Sequence, residues 1–196
     1  MQGGKGLLTD GAKRAMGRLR KTVVLVGMMG AGKTAIGAAL ARNLGVPLLD
    51  SDEEIVRAAA RSIAEIFERD GEPFFRQREA EVIARLLNGP PCILSTGGGA
   101  FMAQTNRALI AAHGVSVWLR VNLDLLWMRV RHKSSRPLLR TANPRETLRA
   151  LYDARTPVYA LAELAVDAEP DLSVDGMARK VEAALVTQRP DVLEAR

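Results

Sequence analysis

From Thr22 onward, short apolar runs alternate with longer segments of helical period. The runs are Thr22–Val26, Pro47–Asp50, Cys92–Thr96, Ser116–Arg120 and Leu164–Asp167. They are strand-length, rich in β-branched residues and leucine, and apolar at successive positions. Strands buried on both faces read this way. Between them the spacing predicts helices at about 33–44, 52–68, 73–88, 104–112, 123–131, 144–160 and 173–187. Strands alternating with helices imply a parallel sheet covered on both sides. The expected fold class is therefore α/β: a three-layer sandwich with a five-stranded parallel sheet flanked by helices. Asn143-Pro144 reads as a cap followed by a proline in the first turn. Ser134-Ser135-Arg136-Pro137 interrupts the preceding helical pattern, which places a loop at about 132–142.

Composition narrows the function more than the fold. A length of 196 residues suits one domain, and 47% hydrophobic with 26% charged residues excludes a disordered chain. Aromatic residues are only 4%. The core must be aliphatic, and there is no stacking platform for single-stranded bases. The net charge of +6 suggests an anionic partner until its placement is considered. Lys5, Lys13, Arg14, Arg18, Arg20 and Lys21 face Asp10 alone, so residues 1–21 carry +5 and residues 22–196 only +1. Residues 1–21 read as a basic, mobile tail or a weakly ordered helix, and 22–196 as a single domain. No nucleic-acid partner is expected of that domain.

Cys92 is the single cysteine, so no disulfide can form within the chain, and its apolar run suggests a buried, inert thiol. His113 and His132 have no cysteine cluster near them and read as exposed residues rather than zinc ligands. No stretch has the length and apolarity of a membrane span. A basic tail before Val23-Val24-Leu25-Val26 imitates the start of a secretory signal, but the run is short and leads to Lys33 without a cleavage pattern. A cytoplasmic location without a membrane partner is the expectation.

The strongest motif is Gly27-Met28-Met29-Gly30-Ala31-Gly32-Lys33-Thr34, which fits G-x-x-x-x-G-K-[ST] between a strand and a helix. Small residues let the backbone turn tightly, so successive N–H groups point at an anion. The helix that follows adds its positive dipole end. Lys33 reaches the β- and γ-phosphates, and the Thr34 hydroxyl suits Mg²⁺, a hard cation that takes oxygen ligands. No N-K-x-D follows, so a guanine-reading GTPase is not indicated.

The acceptor side is less sharply marked. Asp50-Ser51-Asp52 ends the second strand, where residues two apart share a face. One carboxylate then suits the magnesium shell and the other an acceptor hydroxyl, beyond the carboxyl ends of the strands. Ser51 or Asp52 could equally cap the following helix. Arg76 and Glu79 lie three apart on one helical face, where a simple surface ion pair would look the same. Gly97-Gly98-Gly99 after the third strand is more glycine than a turn needs, and suggests a ligand against bare backbone. Arg136 and Arg155 are either solvated arginines or anion ligands.

Taken in order, Gly-x-Met-Gly-x-Gly-Lys-Thr, Asp-Ser-Asp, Phe-Arg-x-x-Glu, Gly-Gly-Gly, Arg-Pro-Leu-Leu and Arg-x-Pro-x-Tyr closely resemble the shikimate kinase family of aromatic amino-acid biosynthesis. The resemblance covers about residues 22–187. It implies a P-loop kinase fold with a mobile lid, and ATP-dependent phosphorylation of the 3-hydroxyl of shikimate. It further implies Mg²⁺ as cofactor, ATP as co-substrate and a monomer. ATP would lie on Gly30, Ala31, Gly32, Lys33, Thr34 and Ala35, with Arg129 along the adenine and Arg136 reaching the phosphates from the lid. Thr34 would bind Mg²⁺, and Asp50 would hold its water shell. Asp52 would contact shikimate hydroxyls and is the candidate base. Arg76, oriented by Glu79, and Arg155 would clamp the carboxylate, and Gly97, Gly98 and Gly99 would lie against the substrate. Lys33, Asp52 and Arg136 form the expected catalytic set. Asp167-Ala168-Glu169-Pro170-Asp171 lacks the basic residue often found there in the family, so backbone is expected over the adenine.

Two other readings remain at this stage. Another small-molecule kinase, such as one for gluconate, would share the phosphate loop without requiring Phe-Arg-x-x-Glu and Gly-Gly-Gly together. A nucleotide-gated nucleic-acid-binding protein would fit the pI, but not the near-neutral domain.

Overall fold

The computed structural model describes residues 18–132 and 141–194. Five parallel strands form the central sheet: β2 (Thr22–Val26), β3 (Leu48–Asp50), β4 (Ile93–Ser95), β5 (Gly114–Arg120) and β6 (Leu164–Asp167), in the order β3-β4-β2-β5-β6. Each lies within two residues of its predicted run. β2, β4 and nearly all of β5 are buried, as their unbroken apolar runs require. Cys92 sits in this interior beside Thr22 Oγ1, and burial raises its thiol pKa. His113 and His132 are exposed, as expected.

Among the described residues seven helices cover the sheet: α1 (Lys33–Leu44), α2 (Ser51–Ala59), α3 (Ile63–Leu87), α4 (Gln104–His113), α5 (Leu123–Val130), α6 (Pro144–Tyr159) and α7 (Val174–Gln188). The single helix predicted over 52–68 is two. Ala60 turns to φ 50, and Ser62 opens α3 with a capping box, its hydroxyl accepting from Glu65 N while the Glu65 carboxylate accepts from Ser62 N. The predicted boundary near 73 survives as a kink inside α3, where Gly71 leaves helical geometry just before Pro73. Asn143 caps α6 without its side chain, and Pro144 occupies the first turn.

The end of the expected tail is part of the fold. Strand β1 (Arg18–Leu19) pairs antiparallel with β7 (Leu193–Glu194), and Arg20 N donates to Val192 O. Leu19, Val192 and Leu193 are buried, whereas the Arg20–Glu194 and Lys21–Asp191 ion pairs are exposed. A boundary at residue 21 is therefore too late, because burial of Leu19 fixes the chain before it. Residues 1–17, 133–140 and 195–196 lie outside the described residues, and with them Arg136 and most of the loop expected at 132–142.

Apolar burial, not charge, should hold this ribbon. Leu193→Ala is expected to lower the unfolding free energy by about 2–5 kcal/mol. Glu194→Gln should cost at most about 1 kcal/mol. Denaturant melts of both variants check the contrast, and equal losses would contradict it.

Candidate active site

The site lies where the chain leaves β2, β3 and β4 at their carboxyl ends. A cavity of about 490 Å³ opens there. It brings together Gly30, Ala31, Gly32, Lys33, Thr34 and Ala35 with Asp50, Asp52, Gly97, Gly98 and Arg129. Gly30 makes the tight loop possible. Its φ is 81, and a Cβ there would sit 2.5 Å from Val130 Cγ1. No side chain caps α1, and its first turn holds no acid. Its N-terminal N–H groups are left for an anion. Lys33 Nζ donates to the Gly27 and Met28 carbonyls at 2.8 and 3.1 Å, across the mouth of the loop. Arg129 donates to the Gly30 carbonyl at 3.5 Å, and burial lowers its pKa.

Three oxygens gather beyond the loop. Thr34 Oγ1 lies 3.4 Å from Asp50 Oδ2 and 3.3 Å from Ser95 Oγ. Ser95 was not among the expected residues. A polar residue closing an otherwise apolar strand, at its carboxyl end, was the signal for it.

Asp50 and Asp52 do share the cleft, but not by strand alternation. Asp50 is the last strand residue and itself the N-cap of α2, its Oδ1 accepting from Asp52 N at 3.0 Å. Ser51 and Asp52 are therefore not the cap; they lie in the first turn. Ser51 is fully buried, and its hydroxyl accepts from Gly97 N at 3.3 Å.

The three glycines have a specific cause. A Cβ on Gly97 would lie 2.7 Å from Asp52 Oδ1, and one on Gly99 would lie 2.8 Å from Arg76 Nη2. Arg155 Nη1 approaches the corresponding point at Gly98 to 3.5 Å. The backbone is bare because side chains from α2, α3 and α6 converge on it. Asn106 fixes the end of the turn by donating to the Ala100 carbonyl at 2.9 Å.

Arg76 is no surface ion pair. Nη1 donates at 2.8 Å to Glu79, which is 1% exposed, while Nε and Nη2 reach Glu72 on the solvent side. Burial opposes the Arg76 charge, but the two carboxylates more than compensate and hold its pKa above the ordinary value. Burial likewise raises the Glu79 pKa; Arg76 opposes that rise, and Asp52 and Glu72 add to it.

A phosphate loop, a cluster of hard oxygens and an arginine-lined acceptor side on a parallel sheet define a P-loop kinase for a small anionic alcohol. The family model for shikimate kinase matches residues 29–186. A shikimate kinase of Cereibacter sphaeroides is 67% identical over 190 residues, covering 97% of this chain and 94% of that protein. One from Ruegeria pomeroyi is 66% identical, with 90% of each chain covered. The structure of shikimate kinase from Acinetobacter baumannii in complex with shikimate aligns with a TM-score of 0.80 at 36% identity, covering 86% of this chain and 94% of that one. The chain belongs to the shikimate kinase family, and its activity is ATP-dependent phosphorylation of shikimate. The gluconate reading falls away.

Two outcomes follow from the geometry. Gly99→Ala keeps an ordinary backbone, with φ −93, but pushes a methyl against the Arg76 guanidinium. Shikimate KM should rise about tenfold or more, with ATP KM nearly unchanged. Steady-state kinetics decide this, and an unchanged shikimate KM would refute the steric account. The second outcome concerns pH. Protonating Glu79 removes the charge-assisted bond that holds Arg76. Shikimate binding should weaken as pH falls through a value above the ordinary glutamate range, and Glu79→Gln should abolish that limb. Stability has the opposite sign, because the folded state holds the Glu79 proton more tightly. The contribution of this group is present at low pH and lost as pH rises through its folded value. Calorimetric binding at a series of pH values tests the first claim, and denaturation of both proteins tests the second.

Proposed function

We propose that the residues of this cleft divide the transfer of the ATP γ-phosphoryl group to the 3-hydroxyl of shikimate as follows. Arg76 and Arg155 hold the carboxylate, since a planar guanidinium suits bidentate pairing. Gly98 backbone and the Asp52 carboxylate meet the ring hydroxyls. Asp52 takes the proton as the 3-oxygen bonds to phosphorus. The bond from γ-phosphorus to the bridging oxygen breaks, and ADP leaves with its electron pair. Lys33 and the α1 N–H groups balance the charge on the phosphates. Arg129, with Leu172, Val174 and Met177 on the cavity wall, forms the slot for the base. Arg136, outside the described residues, is assigned to the phosphates on the family resemblance alone.

The observation that carries this reading is the convergence of Asp52, Arg76 and Arg155 on Gly97–Gly99 beside the phosphate loop. The Thr34, Asp50 and Ser95 oxygens fit Mg²⁺, which keeps several waters and is shared with substrate phosphates. Among the described residues no group of three or more His, Cys, Asp or Glu could hold a metal, so the fit is to a cation arriving with nucleotide. When bound, Mg²⁺ neutralises phosphate charge. We further propose a cytoplasmic monomer that needs no nucleic acid. In support, residues 22–196 carry only +1, and no described helix is long and apolar enough to cross a membrane.

ADP production with and without shikimate tests the transfer directly. Asp52→Asn keeps a hydrogen-bonding side chain but cannot take a proton, and should lose at least about 10²-fold in turnover with ATP binding intact. Near-normal turnover would remove the base role. Arg155→Lys keeps the charge and loses the fork, so shikimate binding should weaken markedly while nucleotide binding is spared. Normal shikimate binding by that variant would take Arg155 out of the clamp.

A further inference from the structure

The middle residue of the glycine turn is held by a side chain that has no role in the scheme above. Tyr159, the last residue of α6, is 1% exposed. Its ring stacks on Trp118 of β5, with centroids 6.2 Å apart and planes at 23°. Its hydroxyl donates to the Gly98 carbonyl, and the charge of Arg155, one turn earlier on the same helix, acts on the phenol to favour its ionised form. Burial pushes the phenol up to about 12 despite that guanidinium, so it keeps its proton throughout the working range. A neutral phenol has one proton to give and lone pairs to receive. Here the proton goes to Gly98.

A phenylalanine would fill the same space against Trp118. What the hydroxyl adds is the bond to Gly98, a residue that the Arg155 guanidinium also approaches, with Nη1 3.5 Å from its Cβ position. The same stretch of turn packs against the phosphate loop: the Cβ position of Gly98 lies 3.7 Å from Met29 N and 3.8 Å from Gly27 O. One bond thus ties the turn, at the point where it meets both the phosphate loop and Arg155, to the end of α6.

We propose that Tyr159 is a positioning residue for the acceptor, its hydroxyl holding the Gly98 backbone in register with the Arg155 guanidinium for shikimate. This rests on the reading of Gly98 and Arg155 as acceptor contacts. Tyr159 itself need not touch substrate.

Tyr159→Phe tests it. Loss of the bond to Gly98 should raise shikimate KM about 5- to 30-fold. ATP KM should stay within about twofold, and stacking on Trp118 should keep the melting temperature close to that of the unaltered enzyme. The double variant with Arg155→Lys should lose less than the product of the single losses, because both act on the one Gly98 turn. An unchanged shikimate KM, equal rises in both KM values, or fully multiplicative losses would overturn the proposal. A normal shikimate KM in Arg155→Lys alone would instead bring down the reading beneath it. If Tyr159→Phe does not fold, fluorotyrosine answers the question without altering the side chain's shape. The chain has two tyrosines, so in a Tyr152→Phe background only Tyr159 carries the label. Its ¹⁹F resonance should move when shikimate is added, and a stationary resonance at saturating shikimate would overturn the assignment.

Discussion

Close approach of side chains to bare backbone at Gly97–Gly99 governs how the rest of the site can be built. A carboxylate from α2, a guanidinium from α3 and another from α6 all end against three consecutive residues. Each of those helices is held elsewhere by apolar burial, with Ile55, Val82, Ile83 and Leu148 in the core. Packing therefore delivers the polar tips to one place, and the turn must be narrow enough to receive them. Protein interiors transmit strain because they are close-packed. A methyl group at this turn would displace a charged group, not a solvent molecule.

Charge balance around the turn is similarly interlocked. Arg76 is stable in a half-buried position because the buried Glu79 faces it, and Glu79 is tolerable there because Arg76 faces it. Breaking such a pair leaves an uncompensated buried charge, which costs more than the pair itself contributes. The exposed pairs on the β1–β7 ribbon are of another kind, screened by water and dispensable. The two sets look alike in sequence and differ only in burial.

Much of the architecture was legible without coordinates, because strands buried on both faces leave unbroken apolar runs. The sheet, the phosphate loop and the pairing of Arg76 with Glu79 are local patterns of this sort. What escaped was set by contacts between distant segments. Pairing of Arg18–Leu19 with Leu193–Glu194 spans nearly the whole chain and leaves no periodicity. The break at Ala60–Ser62 did leave a sign, Ser62-Ile63-Ala64-Glu65, a capping box inside an otherwise continuous helical pattern. The three glycines were readable as bare backbone, but their cause was hidden, since Asp52, Arg76 and Arg155 lie scattered along the chain. Tyr159 stood in a recognised motif, yet only the fold brings its hydroxyl to Gly98.

The two halves of the cleft are encoded very differently. On the reading proposed above, nearly everything that faces the triphosphate comes from one uninterrupted stretch, Met29 to Ile36. The residues assigned to the acceptor are assembled from α2, α3, the glycine turn and α6. The first half can pass between proteins as a cassette, indifferent to what is phosphorylated. The second has no portable unit. Redirecting this scaffold to a different alcohol would require coordinated replacement at four separate places, and intermediates along that route would forfeit the old substrate before gaining a new one.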